Sequence, residues 1–244
     1  MVRAILIASI LCQAFPYSST VHRRSSDDAP LIGVTTNNKL MTRNYGYDEW
    51  KSVQRSCCVT SIAVMEDGSM IGIGNDQYLY TKRSVSSGSW TGRIANSCCI
   101  KDVAVMPDSR ILAVTLDNAL VVRSSLRDDW RNVKKSGGVK RIDVFPDGRI
   151  LGVTASGSLR VRNRVGGRWA DFEGRQFTAA DVSIQPDGTI LAISKDNCGL
   201  YALRNTRGKW FELSSIGQSR CFVDIVSPGN LAIRTAYSHF FGWK

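Results

Sequence analysis

Along most of the chain, short β-branched apolar runs alternate with brief polar breaks. Residues 61–68 (SIAVMEDG) are followed by 70–74 (MIGIG), and 102–108 (DVAVMPD) by 111–115 (ILAVT). Residues 142–148 (IDVFPDG) precede 150–154 (ILGVT), and 182–188 (VSIQPDG) precede 190–194 (ILAIS). Each pair is an apolar run, an Asp-Gly-type turn and a second apolar run, which predicts a tight β-hairpin. A polar turn comes next: Asn37-Asn38, Asn75-Asp76, Asp117-Asn118, Ser156-Gly157 or Asp196-Asn197. A third strand is expected at 40–43 (LMTR), 79–82 (LYTK), 120–123 (LVVR), 159–162 (LRVR) and 200–203 (LYAL). A further turn leads to a Trp and a short fourth strand.

The pattern repeats. Tryptophans stand at Trp50, Trp90, Trp130, Trp169 and Trp210, and hairpin aspartates at Asp28, Asp67, Asp108, Asp147 and Asp187. Both series recur every 39 to 41 residues. Four strands per repeat of about 40 residues predict an all-β fold, a β-propeller of four-stranded blades. Six units are visible, the first with a weak opening strand near Val21 and the last, from Phe222, lacking its outer strand. The expectation is six blades, with residues 15–20 supplying the missing strand, or five blades with frayed ends. No linker interrupts the pattern, so residues 15–244 read as one domain.

The unit "Ile-x-Val-x-Pro-Asp-Gly-x-Ile-Leu-x-Val", then "Asp-Asn-x-Leu-x-x-Arg", then Trp, resembles the tectonin repeat of tachylectin-type lectins. The resemblance spans residues 21–244. It departs in the second strand, where those repeats usually carry Val-Trp-Gly-Val-Asn. The resemblance implies a propeller that binds sugars or lipopolysaccharide through equivalent sites on several blades.

The amino terminus changes the setting. Met1-Val2-Arg3, an apolar run from Ala4 to Leu11 and the small residues Cys12 and Ala14 form a signal-peptide pattern, residues 1–14. No segment approaches ~18 apolar residues, so no membrane span is expected. A secreted chain is expected, with its seven cysteines reduced to six by processing, an even number in an oxidising compartment. Val21-His22-Arg23-Arg24 reads as either a dibasic processing site or the opening strand.

The net charge is +11 and falls by one with the loss of Arg3. Arg43, Lys82, Arg123 and Arg162 close the third strand in four successive units, so their side chains should point the same way in each blade. A ring of like charge suggests an anionic partner such as acidic polysaccharide or lipopolysaccharide phosphate; the alternative is a solvated outer face. The turn residues Asn37, Asn38, Asn75, Asp76, Asp117, Asn118, Asp196 and Asn197 could hydrogen-bond sugar hydroxyls, or simply make tight turns. One Trp per unit fits packing between neighbouring blades.

Cys57-Cys58 and Cys98-Cys99 occupy equivalent places, matched by Gly137-Gly138 in the next unit. Adjacent cysteines seldom bond to each other, so bridges between blades are expected, with Cys198 and Cys221 as a further pair. With two histidines and no nucleophile, zinc or phosphate-loop motif, the sequence points to neither an enzyme nor a cofactor or metal. It carries no nucleic-acid motif. The reading is a secreted, multivalent glycan-binding protein; the alternative is a secreted structural or protein-interaction propeller using a basic face.

Overall fold

The computed structural model describes residues 30–44, 49–173, 177–204, 208–214 and 221–228. The signal-peptide pattern, residues 15–24 and Asp28 lie outside them. Strands β1 (Leu31–Thr35), β2 (Leu40–Arg43) and β3 (Lys51–Ser52) belong to blade 1. Strands β4 (Val59–Val64), β5 (Met70–Gly74) and β6 (Leu79–Lys82) form blade 2. Blade 3 follows as β7 (Ile100–Val105), β8 (Ile111–Thr115), β9 (Leu120–Arg123) and β10 (Arg131–Asn132). Blade 4 is β11 (Arg141–Val144), β12 (Ile150–Val153), β13 (Leu159–Arg162) and β14 (Trp169–Asp171). Blade 5 is β15 (Ala179–Ile184), β16 (Ile190–Ser194), β17 (Leu200–Leu203) and β18 (Phe211–Ser214). The last described strand, β19 (Phe222–Val226), returns to blade 1.

The molecule is therefore a five-bladed β-propeller, the smaller of the two expected counts. All pairings are antiparallel, and four sheets have four strands. In blade 2 the fourth position is held by bonds without a regular strand, Thr91 N–H to Thr81 O (2.7 Å) and Ile94 N–H to Leu79 O (2.8 Å). Strand β19 pairs with β1 through Ile32–Val226 and Gly33–Ile225 and supplies the innermost strand of blade 1. The described strand of the sixth unit thus completes the first blade. The inner strands β4, β7, β11, β15 and β19 contact one another in a closed circuit around the axis.

The core is five apolar clusters, one at each blade interface. Ile32, Val34 and Leu40 of blade 1 pack on Val59, Ile62 and Met70 of blade 2. Ile71, Ile73 and Leu79 then meet Ile100, Val103 and Ile111. Equivalent clusters join blades 3 and 4, 4 and 5, and 5 and 1. Middle strands are buried on both faces, so they read as unbroken apolar runs.

Each described Trp, one per blade, is partly buried against one of these clusters. A Cβ added at Gly72 would lie 2.6 Å from the Trp90 ring, so Gly there lets the indole lie flat on its blade. Burying ~150–250 Å² per indole makes this a major part of each interface. The Asp-Gly hairpins form as expected, with Asp67, Asp147 and Asp187 each accepting the backbone N–H two residues on.

Candidate functional site

Strand direction puts two kinds of connection on one end of the ring: the polar turns between second and third strands, and the loops that enter each inner strand. We call this the turn face; the Asp-Gly hairpins occupy the other end. On the turn face the loops carry a recurrent scaffold. Ser56, Ser97 and Ser136 are buried. Each accepts the N–H of Leu40, Leu79 or Leu120 and donates to the carbonyl of Val53, Ile94 or Val133 (2.7 Å each).

Just after each serine, the backbone turns left-handed. Cys58 has φ 81° and Cys99 φ 72°, and Gly138 takes φ 101° at the same place in blade 4. Cys57 is bonded to Cys58, and Cys98 to Cys99. This corrects the expectation of bridges between blades. The doubled glycine in blade 4 marks a left-handed position, and an adjacent cystine holds a non-glycine residue there. The third bond, Cys198–Cys221, is the expected pair. It ties the turn of blade 5 to the residue before β19 and staples the seam of the ring.

Beside these loops lie equivalent surface cavities. In blade 1, about 470 Å³ is lined by Thr35, Asn37, Met41 and Trp50. In blade 2, about 320 Å³ is lined by Cys57, Cys58, Asn75, Asp76, Tyr80 and Trp90. In blade 3, about 410 Å³ is lined by Cys98, Cys99, Leu116, Asp117, Val121 and Trp130. Leu116 is the one exposed large hydrophobic residue among those described, 48% accessible. Each cavity joins an indole to a turn carboxylate or amide.

The turn residues are exposed or half-buried, and Asn37, Asn75, Asp76 and Asp117 line these cavities. Asn37 accepts from Thr35 Oγ1, and Asp117 from Thr115 Oγ1. Asp76 accepts from Tyr80 Oη (2.8 Å), which raises the phenol pKa, and lies 3.9 Å from Arg93. Asn38 Nδ2 reaches across the blade boundary to Asn75 Oδ1 (2.9 Å). Asn118 accepts from Lys101 Nζ, whose pKa burial pushes down. Asn38 and Asn118 hold φ 59° and 67° and so make the turn themselves. In blade 5, Asn197 binds Tyr201 Oη (2.9 Å), and Asp196 donates its N–H to Ser194 Oγ.

The basic series lies elsewhere. Arg43, Lys82, Arg123 and Arg162 are 0–3% exposed. Lys82 Nζ donates to the carbonyls of Ser87 and Gly88 (2.8 and 2.5 Å). Arg123 binds those of Ser125 and Leu126 (2.8 and 2.7 Å). Arg162 binds Val165 in its own blade and Lys134 and Lys135 in the preceding one (2.8 to 3.0 Å). The guanidinium carbons of Arg43, Arg123 and Arg162 sit 4.7, 5.0 and 5.7 Å from the centroids of the Trp50, Trp130 and Trp169 rings. Burial lowers the pKa of Lys82, Arg123 and Arg162. All four side chains are buried, as a common direction in each blade would require; Lys82, Arg123 and Arg162 turn onto loop carbonyls, and Arg43 lies against Trp50. They form neither an anion-binding ring nor a solvated face.

A second polar ring, missed in the sequence reading, surrounds the axis. Asp224 accepts the N–H of Ile62 (2.9 Å), Asp102 that of Ile142 (2.6 Å), Asp143 that of Ile184 (2.6 Å) and Asp181 that of Ile225 (2.7 Å). Ser61 Oγ completes the circuit by donating to Asp102 Oδ1 (2.8 Å). Every blade boundary is thus crossed by at least one buried side-chain bond. Arg141 Nη1 is 3.1 Å from Asp102 and 3.9 Å from Asp224. One cation among four buried carboxylates leaves desolvation dominant. It raises Asp143 to about 7 and Asp181 to about 8, and lifts Asp102 and Asp224 as well. Beyond this ring, toward the hairpin face, the axial channel widens to about 500 Å³ between residues such as Pro107, Pro146, Pro186 and Pro228.

Among the described residues there is no group of three or more side chains suited to a metal, and no helix long and apolar enough to cross a membrane. No family model and no curated protein matches the sequence. Solved structures do match. One, from work on the de novo evolutionary emergence of a symmetrical protein, superposes with a TM-score of 0.62 at 14% identity, covering 82% of this chain and 99% of that one. A chain of a nidogen/laminin complex gives 0.59 at 10% identity, covering 82% of each. A Bacteroides thetaiotaomicron protein of unknown function gives 0.59 at 13% identity, covering 84% of this chain and 63% of that one. At such identities these likenesses establish the propeller fold alone.

Proposed function

We propose that the protein is a secreted, multivalent carbohydrate-binding protein. The observation that carries this reading is the recurrence of one cavity on blades 1, 2 and 3, each pairing an indole with a turn amide or carboxylate. An aromatic face packs on the apolar face of a sugar ring, and the turn group accepts its hydroxyl hydrogens. Volumes of 320 to 470 Å³ fall in the range of small-ligand sites. One such shallow site binds weakly, whereas several on a rigid ring raise avidity by roughly 10²–10⁴ on a repetitive surface. The resemblance to tectonin repeats supports the same reading, and six cysteines paired as cystines suit an oxidising compartment. Ligand recognition then rests on the turn residues, Asn37, Asp76 and Asp117 foremost. Positive charge on this face includes Lys39, Arg55, Arg93 and Lys195, all exposed.

The test is a glycan array probed with the oxidised protein at low and high salt, beside Asp76→Ala and Asp117→Ala variants. Binding that survives salt and weakens in both variants supports a lectin of neutral sugars. Binding to acidic glycans alone, lost in salt, assigns an anionic ligand. A blank array at both salts rejects the reading.

A further inference from the structure

We propose that the adjacent cystines Cys57–Cys58 and Cys98–Cys99 are redox-operated walls of the blade 2 and blade 3 cavities, closed when oxidised and opened by a dithiol reductant. The ligand part of this proposal rests on the glycan reading; the conformational part does not.

Position comes first. Both cystines line their cavities, and Cys57, Cys58 and Cys99 are exposed, so a thiolate can reach them. Next is what the bonded residues hold. Cys58 donates its N–H to Asn38 O in the turn of blade 1 (2.7 Å), and its carbonyl accepts the N–H of Asn75 in the turn of blade 2 (3.2 Å). Cys99 does the same between Gln77 O (3.1 Å) and the N–H of Leu116 (3.2 Å). Each cystine is therefore the link between two successive polar turns, and each turn bears a proposed ligand group.

Backbone conformation supplies the driving force. A residue with a Cβ is strained at positive φ, and the eight-membered ring of an adjacent cystine holds Cys58 and Cys99 there. Reduction leaves two independent thiols, free to relax toward extended backbone and to release both turn bonds. Blade 4 is a built-in control: Gly138 makes the same bond to Asn118 O (2.9 Å) with no sulfur and no strain.

The chemistry balances. One thiolate of the dithiol attacks one cystine sulfur, giving a mixed disulfide and releasing the partner cysteine as a thiolate. The dithiol's second thiolate then attacks its own sulfur in that mixed disulfide and displaces the remaining cysteine, so two electrons pass from the dithiol to the cystine. The products are two cysteine thiols and a cyclic disulfide.

The experiment measures amide hydrogen exchange of the full chain, oxidised and after mild dithiol treatment, with alkylation and mass mapping to show which bonds opened. A companion protein carries Cys57→Gly, Cys58→Gly, Cys98→Gly and Cys99→Gly, copying blade 4 and keeping Cys198–Cys221. Expected is exchange at Asn75 and Leu116 at least about tenfold faster after reduction of the natural protein. The amide of Gly138 should be unchanged, and the glycine protein should not respond at these sites. Equal exchange at Asn75 and Leu116 in both redox states overturns the proposal. So does the same response in the glycine protein, which would place the effect at Cys198–Cys221. Glycan stoichiometry, read on the same samples, should fall on reduction by the two blade 2 and blade 3 sites. A protein that exchanges as expected but binds no glycan rejects the ligand reading and upholds the switch.

Discussion

Two sets of charged side chains recur around this ring and meet burial in opposite ways. The outer cations, Lys82, Arg123 and Arg162, donate hydrogen bonds to neutral carbonyls of the loops around them. Burial lowers their pKa, while the bonds they donate fix the shape of the loops. The axial aspartates accept backbone N–H groups from the next blade, and share one Arg among four carboxyls. They hold the blades together at the cost of crowding negative charge. A repeated charge in a solenoid-like sequence is thus as much a fastening as a binding surface.

The comparison can be broken at the outer set first. Arg162→Ala strands the carbonyls of Lys134, Lys135 and Val165, each unsatisfied acceptor costing about 1–3 kcal/mol, and uncovers Trp169, so we expect a loss of about 3–5 kcal/mol in chemical denaturation. Glycan affinity, measured at a temperature where the variant is folded, should be unchanged. A stable variant that loses binding would return the basic series to a ligand role.

At the axis, Asp102→Ala removes the acceptor shared by Ser61, Ile142 and Arg141. It should cost about 2–4 kcal/mol, because a buried guanidinium loses its nearest partner. A loss below about 0.5 kcal/mol would show that the circuit of inter-blade bonds contributes little.

Titration separates the two sets further. The folded pKa values of Asp143 and Asp181, about 7 and about 8, lie above the ordinary carboxylate value of 3.8. The folded state therefore holds protons that the unfolded chain has released. Their contribution is fully present below pH 4 and is lost as pH rises through 7 and 8. Each such group should remove up to about 1.4 kcal/mol per pH unit across that window. Melting temperature should accordingly fall between pH 5 and pH 9, and Asp143→Asn should flatten the slope. A melting temperature rising over that interval would contradict the axial picture.

The smallest change concerns the fit of the indoles against their own blades. Gly72→Ala drives a methyl to 2.6 Å from Trp90 and should cost about 1–3 kcal/mol. Ala113 holds the equivalent place in blade 3, so Ala113→Gly should cost only about 1 kcal/mol.

Hairpins, third strands and the packing role of Trp were legible because each has its own local signature. The number of blades was less so: a period of 40 residues gives the length of a unit but not its phase. The six visible units become five blades because β19 belongs with β1. Alternation along 120–123 and 159–162 put Arg123 and Arg162 on a common side. It did not reveal that this common side is covered, leaving Arg123 and Arg162 with no exposed surface. The axial ring escaped notice because Asp102, Asp181 and Asp224 share one register position while Asp143 stands two residues further along its strand. Ser61 and Arg141 fill the same register in blades 2 and 4. The adjacent cystines were misjudged from rarity alone, although Gly137-Gly138 at the equivalent place already marked an unusual backbone.

The β19–β1 seam also sets an order of events during synthesis. Blade 1 leaves the ribosome first, yet its innermost strand and the Asp224 carboxyl that holds Ile62 come nearly two hundred residues later. Until Val226 has emerged, blades 1 and 2 lack that clasp, and β1 presents an open edge to any passing strand. Ring closure is thus a late step in the life of the nascent chain, and Cys198–Cys221 stands where oxidation would make it permanent.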